Sequence, residues 1–259
     1  AVGDAQRARL TAAAAPLHGL PLGGTAVGTG MNADARFPRR VCERLAEITR
    51  LPVTAAPDRF ALIASLADFV HLSSALRGIA IEVGKIASDL RLLASGPFTG
   101  IAEVEMPAVQ PGSSIMPGKV NPSIAEMVNQ VCHQVLGLDA AVVACASGGQ
   151  LELNVMMPVA AWDLTHALGI LAAAIRVFAE KCVAGLRWDH DRARAYAEAS
   201  AGMATLLNPH IGYLAAADVA KQAKAEGKSI VDVVRERKLL SEEKLREILD
   251  PRKLTEPGR

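Results

Sequence analysis

Residues 112–122, Gly112-Ser113-Ser114-Ile115-Met116-Pro117-Gly118-Lys119-Val120-Asn121-Pro122, gather two hydroxyls, an ammonium and a carboxamide on a stretch that two glycines and two prolines keep out of regular helix or strand. Such a loop suits an anion. Backbone N–H groups, the Ser114 hydroxyl, Lys119 and Asn121 can together hold a carboxylate, and a serine within their positive potential is pushed toward its alkoxide. An alkoxide can take a proton from a carbon next to a carboxylate. The product is a dianionic enediolate, so the extra charge must be stabilised on that carboxylate while an acid helps the leaving group depart.

The other candidate constellations carry less. The glycine-rich run Gly23-Gly24-Thr25-Ala26-Val27-Gly28-Thr29-Gly30-Met31-Asn32 follows no apolar strand and lacks the spacing of a P-loop or dinucleotide turn, so it reads as a tight, partly buried connector. Lys85, Asp89 and Arg91 fall at helical spacing and read as an ion-pair network on one helix. His18, His71, His133, His166, His190 and His210 are scattered and read as structural or surface residues. Cys42, Cys132, Cys145 and Cys182 form no C-x-x-C pair or Cys/His cluster, so no metal site is expected. Four buried free thiols suit a reducing cytoplasm.

The loop's order of residues resembles the signature segment of the fumarase/aspartase superfamily, and the likeness extends along nearly the whole chain, which aligns with that family's second half. It runs through the Gly23–Asn32 stretch, Lys85-Ile86-Ala87-Ser88-Asp89-Leu90-Arg91, Ser95-Gly96-Pro97, Gly149-Gln150-Leu151-Glu152-Leu153-Asn154 and Leu207-Asn208-Pro209-His210-Ile211-Gly212-Tyr213. The resemblance implies a lyase that eliminates a small group from a dicarboxylate to leave fumarate, with Ser113 as the base. Ser114, Lys119 and Asn121 then hold the substrate carboxylate, Thr25 and Asn32 lie close to the substrate, and Glu126 matches the family acid that orients a histidine. That histidine belongs to a Thr-His segment upstream of the region where this chain begins, and none of the six histidines here takes its place. The resemblance further implies a homotetramer with each active site shared by three subunits, no organic cofactor and no obligatory metal.

The leaving group rests on finer positions. Glu126-Met127-Val128-Asn129-Gln130-Val131-Cys132 and Gly149-Gln150-Leu151-Glu152-Leu153-Asn154 are closer to aspartases, whereas Gly23-Gly24-Thr25-Ala26-Val27-Gly28 is a little closer to fumarases. The expectation is ammonia elimination from L-aspartate, with water elimination from L-malate as the alternative. Adenylosuccinate and argininosuccinate lyases share the serine loop but not the glycine stretch or the Asn-Pro-His-Ile-Gly segment. A third alternative is a catalytically incomplete fragment that serves only as a helical oligomerisation scaffold; the chain has no initiator methionine and begins within a helical pattern.

These groups need a scaffold, and composition points to helices. Hydrophobic residues make up 51% of the 259, yet only nine are aromatic and alanine is abundant, a combination suited to close-packed helices. Net charge is +1, with both signs spread along the chain, which offers nothing to nucleic acid or an anionic membrane. No uninterrupted apolar run approaches a bilayer span. Apolar residues recur at threes and fours from Arg59 to about Leu93 without proline, predicting one helix of about 35 residues and about 50 Å. Segments 123–146 and 159–186 supply comparably long partners. The expected fold is therefore all-α: a long-helix bundle over residues 1–200 followed by a small C-terminal helical domain over 201–259. Shorter helices are expected at 5–15, 38–49, 213–225, 229–236 and 241–249, the last two capped by Ser229 and Ser241.

Overall fold

A computed structural model describes residues 2–200 and 202–248. The part of the expected C-terminal domain from residue 249 onward, and residue 201, lie outside the described residues. The fold is all-α, with eleven α-helices among the described residues and strands only two residues long. It divides into two compact units, the first taking in residues up to Ser95 together with Met106–Leu186, the second Gly96–Glu105 and the residues from Arg187 on.

In the first unit, α1 (Val2–Ala14), α2 (Phe37–Thr49) and α3 (Arg59–Ala64) precede three long helices, α4 (Ala67–Leu93), α5 (Ser123–Ser147) and α6 (Met157–Lys181). α5 packs on both α4 and α6, and α1 packs on α4. Their shared core joins Leu72, Leu76 and Leu90 of α4 with Val128, Val135 and Val142 of α5 and Leu164, Leu171 and Phe178 of α6. The spacing is that of one helix face, and each large side chain removed from water contributes about 1.5–3 kcal/mol. Ala80, Ala87, Ala125 and Ala160 have no exposed surface at all, so alanine sits where the helix backbones come closest.

The expected 35-residue helix is broken. Ser65 is extended (φ −111°, ψ 137°), and its Oγ accepts a hydrogen bond from the Ala67 N–H at 3.2 Å, ending α3 and starting α4. Serine competes for backbone groups in this way, and apolar periodicity alone does not reveal it. Two buried polar groups then hold the long helices in place. Asp139 of α5 accepts from the Ser73 hydroxyl and the Arg77 guanidinium of α4, both at 2.6 Å. Asn154, 2% exposed, donates to the Cys145 carbonyl near the end of α5 (2.9 Å) and accepts from the Met156 N–H before α6 (2.9 Å). Its own N–H donates to the Ile63 carbonyl of α3 (3.0 Å).

Helix α5 combines an apolar composition with buried polar groups. With 25 residues and a mean hydropathy of 1.2 over its most apolar stretch, it is long and apolar enough to cross a bilayer by length and composition. It nevertheless carries Glu126, Asn129 and Asp139 and forms the centre of the bundle.

The second unit begins with a short antiparallel pairing of Val104–Glu105 with Arg187–Trp188. Helix α7 (His190–Ala199), absent from the sequence expectation, is started by Asp189, whose carboxylate accepts from the Arg192 N–H at 2.9 Å. Helix α8 (Met203–Ile211) runs through Pro209 and ends at Gly212 (φ 80°), the last residue of the Asn-Pro-His-Ile-Gly segment. Helices α9 (Tyr213–Glu226), α10 (Ile230–Glu236) and α11 (Glu242–Ile248) complete it. Ser229 and Ser241 cap as expected, accepting from Asp232 N–H (3.0 Å) and Lys244 N–H (3.2 Å). Leu207, Val219, Val233, Val234 and Leu245 form its core. Lys228 pairs with both Glu226 and Glu236 at 2.8 Å; its hydrogen bond, then that of Gln222, hold the Glu226 carboxyl below its usual pKa.

Candidate functional site

The signature loop starts where Met106 lies against the Cys182 thiol (3.5 Å) and runs without regular structure to Pro122. Between Gly112 and Lys119 it folds back on itself: the Ser113 N–H donates to the Lys119 carbonyl (2.9 Å), and the Lys119 N–H to the Met116 carbonyl (3.1 Å). Glycine is required at 112, where an added Cβ would collide with the Lys119 carbonyl oxygen. Gly118 takes the turn at φ 81°.

This fold-back shapes the environment of the half-buried Ser113. Its Oγ accepts from two backbone N–H groups, of Ile115 at 3.2 Å and Met116 at 3.1 Å. Two such donors favour an oxygen carrying negative charge over a neutral one. Ser114, Lys119 and Asn121 are exposed. Among the described residues their side chains make no hydrogen bond or ion pair, so an ammonium, a hydroxyl and an amide are open to a ligand on one short loop.

The loop runs directly into α5. Asn121 accepts from the Ser123 N–H (2.8 Å), Pro122 accepts from the Glu126 N–H (3.0 Å), and the Gln110 amide donates to the Ser123 hydroxyl. Glu126 is half-buried in the first turn of α5, at the positive end of the helix dipole. One turn further on, Asn129 is only 7% exposed. Its Nδ2 donates to the Gly84 carbonyl (2.8 Å) and the Ser88 hydroxyl (3.0 Å) of α4, and its Oδ1 accepts from the Arg91 guanidinium (3.0 Å). The expected ion-pair network is thus divided. Lys85 pairs with Asp89, while Arg91 reaches across to α5. Asn129 was missed, although the sequence places a carboxamide on the apolar face shared by Ala125, Val128 and Cys132.

Thr25 and Asn32 lie elsewhere. Both have positive φ, 48° and 62°, and so does Val27 at 48°, a costly conformation for a β-branched residue. The Gly28 and Gly30 N–H groups both donate to the Gly24 carbonyl, at 3.1 and 3.0 Å, drawing the connector into tight turns. Gly24 abuts Ile63, and Gly28 abuts the backbone of Phe60, so the connector leans on α3 beside Asn154. That is the C-terminal end of α5. The loop is at the other end of this 25-residue helix, and the two are separated by roughly its length, ~37 Å at the standard rise. A single chain therefore carries Ser113, Ser114, Lys119 and Asn121 on one loop that leads into the helix turn bearing Glu126, and leaves Thr25 and Asn32 apart from them.

His166 stacks on Trp162 on the surface of α6, with ring centroids 6.4 Å apart. No three His, Cys, Asp or Glu side chains are grouped to hold a metal ion among the described residues. Burial of Cys42, Cys132 and Cys182 pushes their thiols above the usual range, while Cys145 is only half-buried.

Residues 3–137 match the protein family described as Lyase, and residues 203–256 match Fumarase C C-terminus. The chain belongs to the fumarase/aspartase superfamily. Among its relatives in that superfamily is an aspartate ammonia-lyase of Bacillus subtilis (strain 168), 43% identical over 242 residues that cover 93% of this chain and 51% of the relative. A class II fumarate hydratase of Pseudomonas putida is 44% identical, over 92% of this chain and 52% of its own. The cobalt-bound crystal structure of a fumarate lyase:delta crystallin from Brucella melitensis superimposes with a TM-score of 0.92 at 42% identity, covering 98% of this chain and 55% of that one. A class II fumarase from Schistosoma mansoni gives 0.91 at 34% identity, over 99% and 57%. The chain spans about half the length of the curated relatives it matches.

Proposed function

We propose that the intact protein is a carbon–nitrogen lyase that eliminates ammonia from L-aspartate to give fumarate. The observation that carries this reading is the Ser113 hydroxyl, held by two backbone N–H groups on a loop where the Lys119 ammonium, the Ser114 hydroxyl and the Asn121 carboxamide are free. As an alkoxide, Ser113 takes a proton from the substrate carbon next to the carboxylate held by Ser114, Lys119 and Asn121. The electron pair left on that carbon is delocalised into the carboxylate as an enediolate, then forms the carbon–carbon double bond as the C–N bond breaks and ammonia leaves. Hydrogen bonds that strengthen as the second charge develops on the carboxylate favour the transition state over the ground state. Glu126 orients the acid that assists the departing amine.

Thr25 and Asn32 complete the substrate site from another copy of the chain. Their separation from the loop supports the homotetramer with shared sites, because within one chain they cannot touch the same small molecule. The dicarboxylate is the partner; neither nucleic acid nor a membrane is part of this reading. A cytoplasmic location accords with the four free cysteines.

The alternative is water elimination from L-malate, which needs the same base and the same carboxylate site, and it is favoured by the fumarate hydratase of P. putida at an identity equal to that of the ammonia-lyases. Following fumarate absorbance with the intact protein separates the two. The expected result is turnover of L-aspartate with a kcat/KM at least about a hundredfold above that for L-malate. Preference for malate would replace the ammonia-lyase reading with that of a hydratase.

A further inference from the structure

We infer that Asn129, held by Arg91, is a positioning residue that fixes the start of α5 and so sets the placement of Glu126 and of the loop's C-terminal anchor; this rests on the function proposed above. Three groups of α4, the Gly84 carbonyl, the Ser88 hydroxyl and the Arg91 guanidinium, converge on one carboxamide of α5. The two helices are in close contact there. A Cβ added to Gly84 would lie 3.3 Å from the Cys132 Cβ and 3.8 Å from the Asn129 amide nitrogen, so the glycine lets the carboxamide reach the α4 backbone.

Glu126 precedes Asn129 by one turn, and residues three apart share a helix face. Upstream, the Glu126 N–H is bonded to Pro122 and the Ser123 N–H to Asn121. A shift of the first turns of α5 therefore moves Glu126 and Asn121 together. Misplacement of reacting groups by about 1 Å costs on the order of a hundredfold in rate. Asn129 touches no substrate in this scheme. It acts through the helix end that carries groups which do.

The same pair of helices contains a matched control. Asp139 is held by Ser73 and Arg77 of α4 as firmly as Asn129 is held by Arg91, but it lies ten residues further along α5, ~15 Å from Asn129 and further still from the loop. Arg77 and Arg91 both donate through an exposed guanidinium to a buried acceptor on α5. A purely structural role predicts the same consequences at both places.

The test compares Arg91→Ala, Arg91→Lys and Arg77→Ala in the intact protein, by steady-state kinetics on whichever of L-aspartate or L-malate the unmodified protein turns over, with thermal unfolding and amide hydrogen exchange. Arg91→Ala is expected to lower kcat about tenfold or more with KM within about threefold, and to speed exchange across residues 121–129. Arg91→Lys, which keeps a donor, is expected to recover most of the rate. Arg77→Ala is expected to lower Tm at least as much while leaving kcat within about twofold. The inference is overturned if Arg91→Ala and Arg77→Ala change kcat alike, or if exchange at 121–129 is unaltered in Arg91→Ala. Should neither substrate be turned over, the functional reading fails by itself, and the exchange comparison still decides whether the clamp fixes this helix end.

Discussion

At the scale of single residues, the candidate site depends on which polar groups are occupied and which are free. Ser113 is engaged by two backbone donors, whereas Lys119 and its neighbours Ser114 and Asn121 are not. A free ammonium on a loop of this kind should contribute to affinity more than to the chemical step. Replacing Lys119 with Ala is accordingly expected to raise KM for the dicarboxylate, or Ki for a substrate-like dicarboxylate inhibitor, by about tenfold or more, with a smaller fall in kcat. An unchanged KM would remove Lys119 from the carboxylate site. These residues were legible in the sequence because glycine, proline and a fixed order of hydroxyl, ammonium and amide occur within eleven positions. The separation of Thr25 and Asn32 from them was not, since a resemblance transfers proximity in an assembled enzyme without saying which copy of the chain supplies each residue.

At the scale of elements, apolar periodicity foretold the three long helices, because burying one face of each dominates their stability, and the alanine-rich composition foretold the close contacts between them. Where side chains interact with backbone, periodicity gave no warning. Ser65 breaks the helix that was expected to run unbroken from Arg59, and Asp189 starts α7, which was not expected at all. Ser229 and Ser241 were readable because a hydroxyl preceding a short amphipathic run is a recognisable start signal. Asn154 belongs to the first group, with its amide bonded to the end of α5, the approach to α6 and, through its backbone, α3. Replacing it with Ala would remove its side-chain bonds to the Cys145 carbonyl and the Met156 N–H together. The expected cost is roughly 1–3 kcal/mol, seen as a drop in Tm of about 2–4 °C for each kcal/mol, and a Tm within 1 °C of the parent would contradict the joint assigned to it.

At the scale of the molecule, the long helices leave large apolar side chains uncovered in the single chain. Ile81, Ile86 and Leu92 on α4 and Val159 and Trp162 on α6 are 46–70% exposed, and only 22% of the most apolar stretch of α5 is buried. Exposed apolar side chains of this kind suit a helix–helix interface, and under the function proposed above a second copy packed against them would bring its connector to the loop. Replacing Trp162 with Glu is expected to reduce the mass measured by light scattering below that of the parent assembly and to abolish turnover, although Trp162 is on neither the loop nor the connector. Retention of both assembly and activity would show that α6 is not part of the contact.

Substituting Ser113 with Ala in the intact protein, and recording kcat for fumarate formation alongside thermal unfolding, probes the reaction at the atom on which it turns. The expected result is a kcat lower by about a thousandfold or more, with KM changed modestly and Tm close to that of the parent. Turnover within tenfold of the parent would mean that another group removes the proton and that the hydroxyl bonded to Ile115 and Met116 only shapes the loop.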